Sequence, residues 1–93
     1  SLFRDCSSLK SVPVNIFDEC TKLKSVSNAF SGCTSLAGES PYTTVNGRKY
    51  HLYDRTTDNA TESGLTALTS TAGCFKGCTQ LTDYAQIPDI WKQ

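Results

Sequence analysis

One short pattern, Phe-x-x-Cys-[Ser/Thr]-x-Leu, is written four times in this chain and constrains its fold more than any other feature. The copies are Leu2 to Val12, Ile16 to Val26, a third beginning Ala29 to Leu36, and Cys74 to Tyr84. They align without gaps. Counting offsets from zero, offset 1 is Phe3, Phe17, Phe30 and Phe75. Offset 4 is Cys6, Cys20, Cys33 and Cys78, and offset 7 is Leu9, Leu23, Leu36 and Leu81. At about 100° per residue, offsets 0, 1, 4 and 7 share one stripe of a helix. Each copy is therefore expected to form a short helical turn burying Phe and Cys. Its Leu leads into a short strand ending in Val or Tyr.

One such unit cannot bury its apolar face alone, whereas stacked units can. The expected fold class is thus α/β: a short leucine-rich-repeat-like solenoid, one helical turn plus one short strand per coil, with a β-hairpin insertion. Stacking would set the four Phe in one column, the four Cys in a second and the four Leu in a third. Lys10 and Lys24 would then stack as like charges, which is tolerable only facing water. Gly32 and Gly77 share offset 3 with Asp5 and Glu19. Because that offset accepts Asp and Glu, it is expected not to need a positive φ, and the two glycines are not expected to be obligatory turn residues.

The Phe-x-x-Cys-[Ser/Thr]-x-Leu pattern resembles the BspA-like leucine-rich repeats of bacterial cell-surface proteins of gut and oral anaerobes. The resemblance covers residues 1–38 and 74–93. It implies a right-handed coil, an exported or surface-anchored parent protein and a role in recognition or adhesion. It brings no catalytic residues. The first three copies are spaced 14 and 13 residues apart and the last two 45 apart. Ordinary leucine-rich repeats run at roughly 20–29.

The 93 residues make one repeat domain. A chain of this size buries roughly 60–65% of its unfolded surface, a modest core. Nine basic and nine acidic residues cancel, so no long-range attraction to nucleic acid or to an anionic membrane is expected. No apolar run approaches the roughly 18 residues that span a bilayer. Ser1 begins inside a repeat, which suggests a piece of a longer protein, and the resemblance implies that this parent is outer-membrane anchored and displayed outside the cell. The fifth cysteine, Cys74, holds offset 0, where Leu2, Ile16 and Ala29 stand. All five cysteines are thereby explained as small buried hydrophobes, with no disulfide expected.

The repeat breaks at Glu39, where Val12 and Val26 have an apolar counterpart, and an insertion runs over residues 39–73. It contains Asn46-Gly47 between two β-prone runs, a strong hairpin signal placing a hairpin at about residues 42–53. A two-residue turn pairs Val45 with Arg48 and Thr43 with Tyr50. Thr43, Val45, Tyr50 and Leu52 then share the core face, and Tyr42, Thr44, Lys49, His51 and Tyr53 the other. Residues 54–63 are polar and expected in an exposed loop. Residues 74–93 form the last repeat and a cap, with Trp91 standing where a fifth Phe would.

Chemistry-bearing patterns are sparse. His51 is the only histidine, and a Cys–His nucleophile needs a cysteine beside it. Cys74-x-x-x-Cys78 lacks zinc spacing and follows from the repeat. Asp54, Asp58, Asn59 and Glu62 lack the order of a calcium loop. Asn59-Ala60-Thr61 matches a glycosylation acceptor, silent in a bacterium. No catalytic residue, cofactor or metal is assigned. The candidate ligand-binding residues are Tyr42, Lys49, His51 and Tyr53, because tyrosines offer rigid amphipathic area. The alternative is a half-exposed hairpin face packed on its neighbours. The expected function is a non-catalytic recognition or adhesion module for protein or glycan ligands at the cell surface. The second reading is a structural spacer or capping segment.

Overall fold

Each copy folds as overlapping tight turns. The computed structural model describes residues 3–93. In all four copies the Cys amide donates to the Phe carbonyl, and the Leu amide to the Cys carbonyl. These are successive i to i+3 bonds, from offset 1 to 4 and from 4 to 7. Offset 3 is the third residue of the first turn, and its φ is 62° at Asp5, 82° at Gly32 and 81° at Gly77. A positive φ at that position alone is the type II pattern, which favours Gly and tolerates Asp. The expectation that this offset does not need a positive φ thus fails in three copies, while Glu19 of the second copy is not among the positive-φ residues. Asp at an aligned position does not exclude the left-handed region, because its short polar side chain tolerates it.

The same finding overturns the expected solenoid of helical turn plus strand per coil. Among the described residues, no copy contains an α-helix or a strand beyond single-residue bridges at Ser25 and Leu81. Among the described residues the two strands, β1 (Tyr42–Val45) and β2 (Arg48–His51), form one antiparallel hairpin. The α-helical turn, Ala60–Ser63, lies in the insertion, and three short 3-10 turns lie at Leu52–Asp54, Tyr84–Gln86 and Asp89–Lys92. The physical reason is a degeneracy of spacing. Apolar residues at 1, 4 and 7 fit one face of a helix, and they equally mark the corners of consecutive three-residue turns.

The copies do meet, but not in sequence order. The Phe3 and Phe30 rings stack at 5.3 Å, Phe30 and Phe75 at 5.5 Å, and Phe75 and Trp91 at 6.0 Å. Backbone bonds run along this ladder: the Phe3 amide donates to Ala29, Asp5 to Ser31, Phe30 to Cys74 and Gly32 to Lys76. The second copy stands beside the ladder, with Phe17 meeting Phe30 edge-on at 6.2 Å. The expected single Phe column thus omits Phe17. The expected Cys column is only partly buried: Cys33 and Cys78 have no exposure, whereas Cys6 and Cys20 are exposed. Cys6 lies in the first turn of the ladder and Cys20 off its side, and both thiols stay exposed. All five cysteines are free thiols.

The hairpin turns on Asn46 and Gly47, both with positive φ, and pairs Val45 with Arg48 and Thr43 with Tyr50. Thr43, Tyr50 and Leu52 are buried, and Val45 is half-buried. Leu52 carries the insertion into the core cluster that holds Phe30, Phe75 and Leu36, and Leu65 is buried apart from that cluster.

Candidate functional site

The outer hairpin face brings Tyr42, Lys49 and His51 together because β1 and β2 place Tyr42 opposite His51. Tyr53 follows one turn later in the 3-10 segment. The His51 ring stacks on Tyr53 at 5.0 Å and 11°, and lies 5.5 Å from the Tyr42 ring. Tyr53 in turn meets Trp91 edge-on at 6.4 Å. The Lys49 ammonium sits 4.5 Å over the Tyr42 ring, a weak attraction at an exposed position.

Three carboxylates surround these rings. Glu39 Oε2 lies 2.7 Å from His51 Nε2, and Asp54 Oδ2 lies 2.9 Å from His51 Nδ1. Both contacts are hydrogen bonds only when both ring nitrogens carry a proton. Asp54 Oδ2 also accepts from the His51 backbone amide. Lys49 donates to both Glu39 oxygens, at 3.2 and 3.3 Å. The His51 bond, and then Lys49, holds the Glu39 carboxyl below its ordinary range, against a smaller opposing effect of burial. Lys49 is raised in return, chiefly by the same Glu39 bond.

The third carboxylate, Asp83, is 6% exposed. It accepts from the Ser40 hydroxyl at 2.6 Å, the Ser40 amide at 3.0 Å and the Tyr53 hydroxyl at 2.9 Å. Burial alone would raise its pKa. The Ser40 and Tyr53 donors outweigh burial and hold it low. Burial first, and then donation to Asp83, pushes the Tyr53 hydroxyl well above its usual value.

The four sequence-chosen residues are therefore neighbours, but they divide. Tyr53 and His51 are engaged with the body of the protein, and His51 keeps only 13% side-chain exposure. Lys49, at 51%, is open to solvent, and Tyr42 is half-buried beside it. Sequence reasoning missed the partners. Glu39 carried a signal, since it replaces an apolar residue at its offset. Asp83 carried none, because its offset holds Ser11, Ser25 and Gly38 elsewhere. The polar stretch 54–63 was expected to be an exposed loop, yet Arg55 is 2% exposed and Ser63 5%. The Arg55 guanidinium donates to the carbonyls of Cys20 and Phe17 and to the Thr43 hydroxyl, and its Nε has no partner. Burial lowers its pKa.

Two of the calcium candidates are engaged within the chain: Asn59 bonds the Asp54 carbonyl and the Thr56 amide, and the Asp54 carboxylate bonds His51, while Asp58 and Glu62 are exposed. No group of three or more His, Cys, Asp or Glu among the described residues is arranged to hold a metal ion. No helix among them is long and apolar enough to cross a membrane. Comparison with protein-family models, with curated proteins and with solved structures finds no match to this chain.

Proposed function

We propose that this chain is a non-catalytic recognition module that engages a protein or glycan ligand through the outer edge of its hairpin. The observation that carries this reading is the solvent-facing pair of Tyr42 and Lys49, an aromatic ring beneath a cation, held on a strand rather than a loop. His51 and Tyr53 stiffen the pair from behind, so little rotamer freedom is lost on binding. The Phe-x-x-Cys-[Ser/Thr]-x-Leu resemblance adds the setting, a surface or secreted protein.

The second reading, a structural spacer or cap, is favoured by a different observation. The Tyr53 hydroxyl and the His51 ring spend their hydrogen bonds inside the chain, as fastenings of the insertion would. Screening the protein on arrays of immobilised oligosaccharides and peptides, beside a Tyr42→Ala/Lys49→Ala double variant, separates the two. Recognition predicts binding that the variant loses while its fold, read by Trp91 fluorescence, is intact. Equal binding by both proteins, or binding by neither, sinks the recognition reading.

A further inference from the structure

His51 has carboxylates against both nitrogens of its ring. Glu39 Oε2 is 2.7 Å from Nε2, and Asp83 Oδ2 is 3.9 Å from the same nitrogen. Asp54 Oδ2 is 2.9 Å from Nδ1 and also accepts from the His51 backbone amide at 3.0 Å. Against the ring itself lie Tyr53, stacked at 5.0 Å, and Tyr42 of β1 at 5.5 Å. The bonds from His51 and Lys49 hold Glu39 low, and the bond to Glu39 raises Lys49 in return. Asp83, despite burial, is held low by Ser40 and then Tyr53, whose own hydroxyl is pushed up by burial and by Asp83. Histidine is the side chain that ordinarily changes charge between about pH 5 and 8. A doubly protonated ring donates to Glu39 and Asp54 together. A neutral ring has one N–H and leaves one carboxylate facing a lone pair.

The two sides of the ring are unequal. Asp83 is buried and fixed by three bonds from Ser40 and Tyr53, and Glu39 is tied to Lys49. A bare Nε2 would face both of these carboxylates. Asp54 stands alone at Nδ1, and its side chain is 38% exposed, so it can turn into water. We propose that His51 is a proton-operated clasp: doubly protonated it bridges Glu39 to Asp54, and on losing a proton it keeps Nε2–H on Glu39 and lets the Asp54 carboxylate go. Glu39 opens the insertion and Asp54 begins its polar stretch, so the clasp closes or frees the foot of the hairpin. The open state carries more negative charge near Lys49 and meets an anionic ligand less favourably. That consequence rests on reading Tyr42 and Lys49 as the recognition edge, whereas the clasp itself does not.

His51 is the only histidine, so long-range proton–nitrogen NMR of the isotope-labelled protein reads its ring without ambiguity. At about pH 5 both ring nitrogens are expected to carry protons, and at about pH 8 Nε2 alone. Hydrogen exchange of the His51 backbone amide, corrected for its intrinsic pH dependence, is expected to quicken roughly tenfold over the same range as Asp54 leaves it. In Asp54→Asn the carboxamide can accept from that amide and donate to a bare Nδ1, so the corrected exchange is expected to stay constant. A neutral ring that keeps its proton on Nδ1 overturns the proposal. So does wild-type amide exchange that ignores the charge of the ring, or an equal change in the variant. No ligand enters these measurements, so failure of the recognition reading leaves the clasp standing, and failure of the clasp leaves that reading untouched.

Discussion

Replacing Asp83 by Asn tests whether the buried carboxylate is what locks the insertion to the fourth copy. The carboxylate accepts three bonds, from the Ser40 amide, the Ser40 hydroxyl and the Tyr53 hydroxyl. Asn keeps one acceptor oxygen. The Ser40 amide cannot reorient, so it should keep that oxygen, while the two hydroxyls turn and accept from the new amide group. Hydrogen bonds to an ionised group contribute about 1.5–3 kcal/mol each, and neutral ones about half that. With the desolvation of the charge set against this gain, the expected loss is about 2 kcal/mol at pH 7. In a chain of this size that is roughly 10 °C in Tm. The pH dependence follows from the depressed pKa of Asp83. A carboxylate whose folded pKa lies below its unfolded value stabilises fully above the unfolded value. That contribution disappears as pH falls through the folded one. The gap between wild type and Asp83→Asn should therefore be constant from neutral pH down to the ordinary carboxylate range, about 4, and close below it. Glu39 is depressed as well, but it is present in both proteins and cancels from the difference. Urea unfolding read by the single, buried Trp91 gives both curves. A gap that is independent of pH down to about 3, or that widens on acidification, would refute the lock.

Three further outcomes are expected. Phe30→Ala should cost about 3–5 kcal/mol in urea unfolding, because its fully buried ring sits between Phe3 and Phe75; a loss below about 1 kcal/mol would mean the ladder is not packed. Gly77→Ala should cost about 1 kcal/mol from its positive φ, with ordinary 3.7 Å contact to Thr34. Gly32→Ala should cost clearly more, since a Cβ there meets Asp5 Oδ1 at 2.5 Å and the Asp5 backbone at 3.1 Å; equal losses would contradict the close approach of the first and third copies. In thiol titration of the native protein, Cys6 and Cys20 should react at once and Cys33, Cys74 and Cys78 only on unfolding, because burial pushes Cys78 up to about 12 and raises Cys33 and Cys74 as well. Five thiols reacting together without denaturant would contradict this burial.

The residues of the repeat were legible in the sequence, but their conformation was not. Phe, Cys and Leu at a spacing of three satisfy a helix stripe and a run of three-residue turns alike. What separates the two is the backbone at offset 3. Gly32 and Gly77 pointed to a turn, while Asp5 and Glu19 at the same offset hid it. Asp5 in fact takes the left-handed region, and Glu19 is not among the residues with positive φ. The stacking order was hidden for another reason. Four gapless copies suggest four equal layers, whereas only the first, third and fourth stack and Trp91 supplies the next ring. The hairpin was legible because its signals are local: Asn46-Gly47 fixes the turn, and alternation fixes the faces. The polar network was not. Ser40 and Asp83 lie 43 residues apart, and no local pattern in either stretch announces the other.

The insertion interrupts the repeat, yet the fold depends on it, and Arg55 is where this is clearest. The second copy stands off the ladder, so no neighbouring copy is positioned to answer its turn carbonyls. Arg55 answers two of them, at Phe17 and Cys20, from the stretch that composition alone marks as exposed. Thr43 of β1 accepts from the same guanidinium and donates to Asp18 of the second copy. A buried cation bonded mainly to neutral carbonyls is costly. Its persistence at 2% exposure is intelligible because the Phe17 and Cys20 carbonyls, each already accepting its own turn amide, offer the guanidinium a second lone pair. The planar, multiply donating guanidinium spans two carbonyls one turn apart, which a lysine ammonium cannot do in one geometry. The second copy is thus held by this side chain of the insertion in addition to backbone bonds such as Val26 to Ser70, Thr66 to Thr21 and Thr69 to Lys24. The hairpin, which carries the proposed recognition edge, is fixed to the body on one side through Thr43 and on the other through Tyr53 and Asp83.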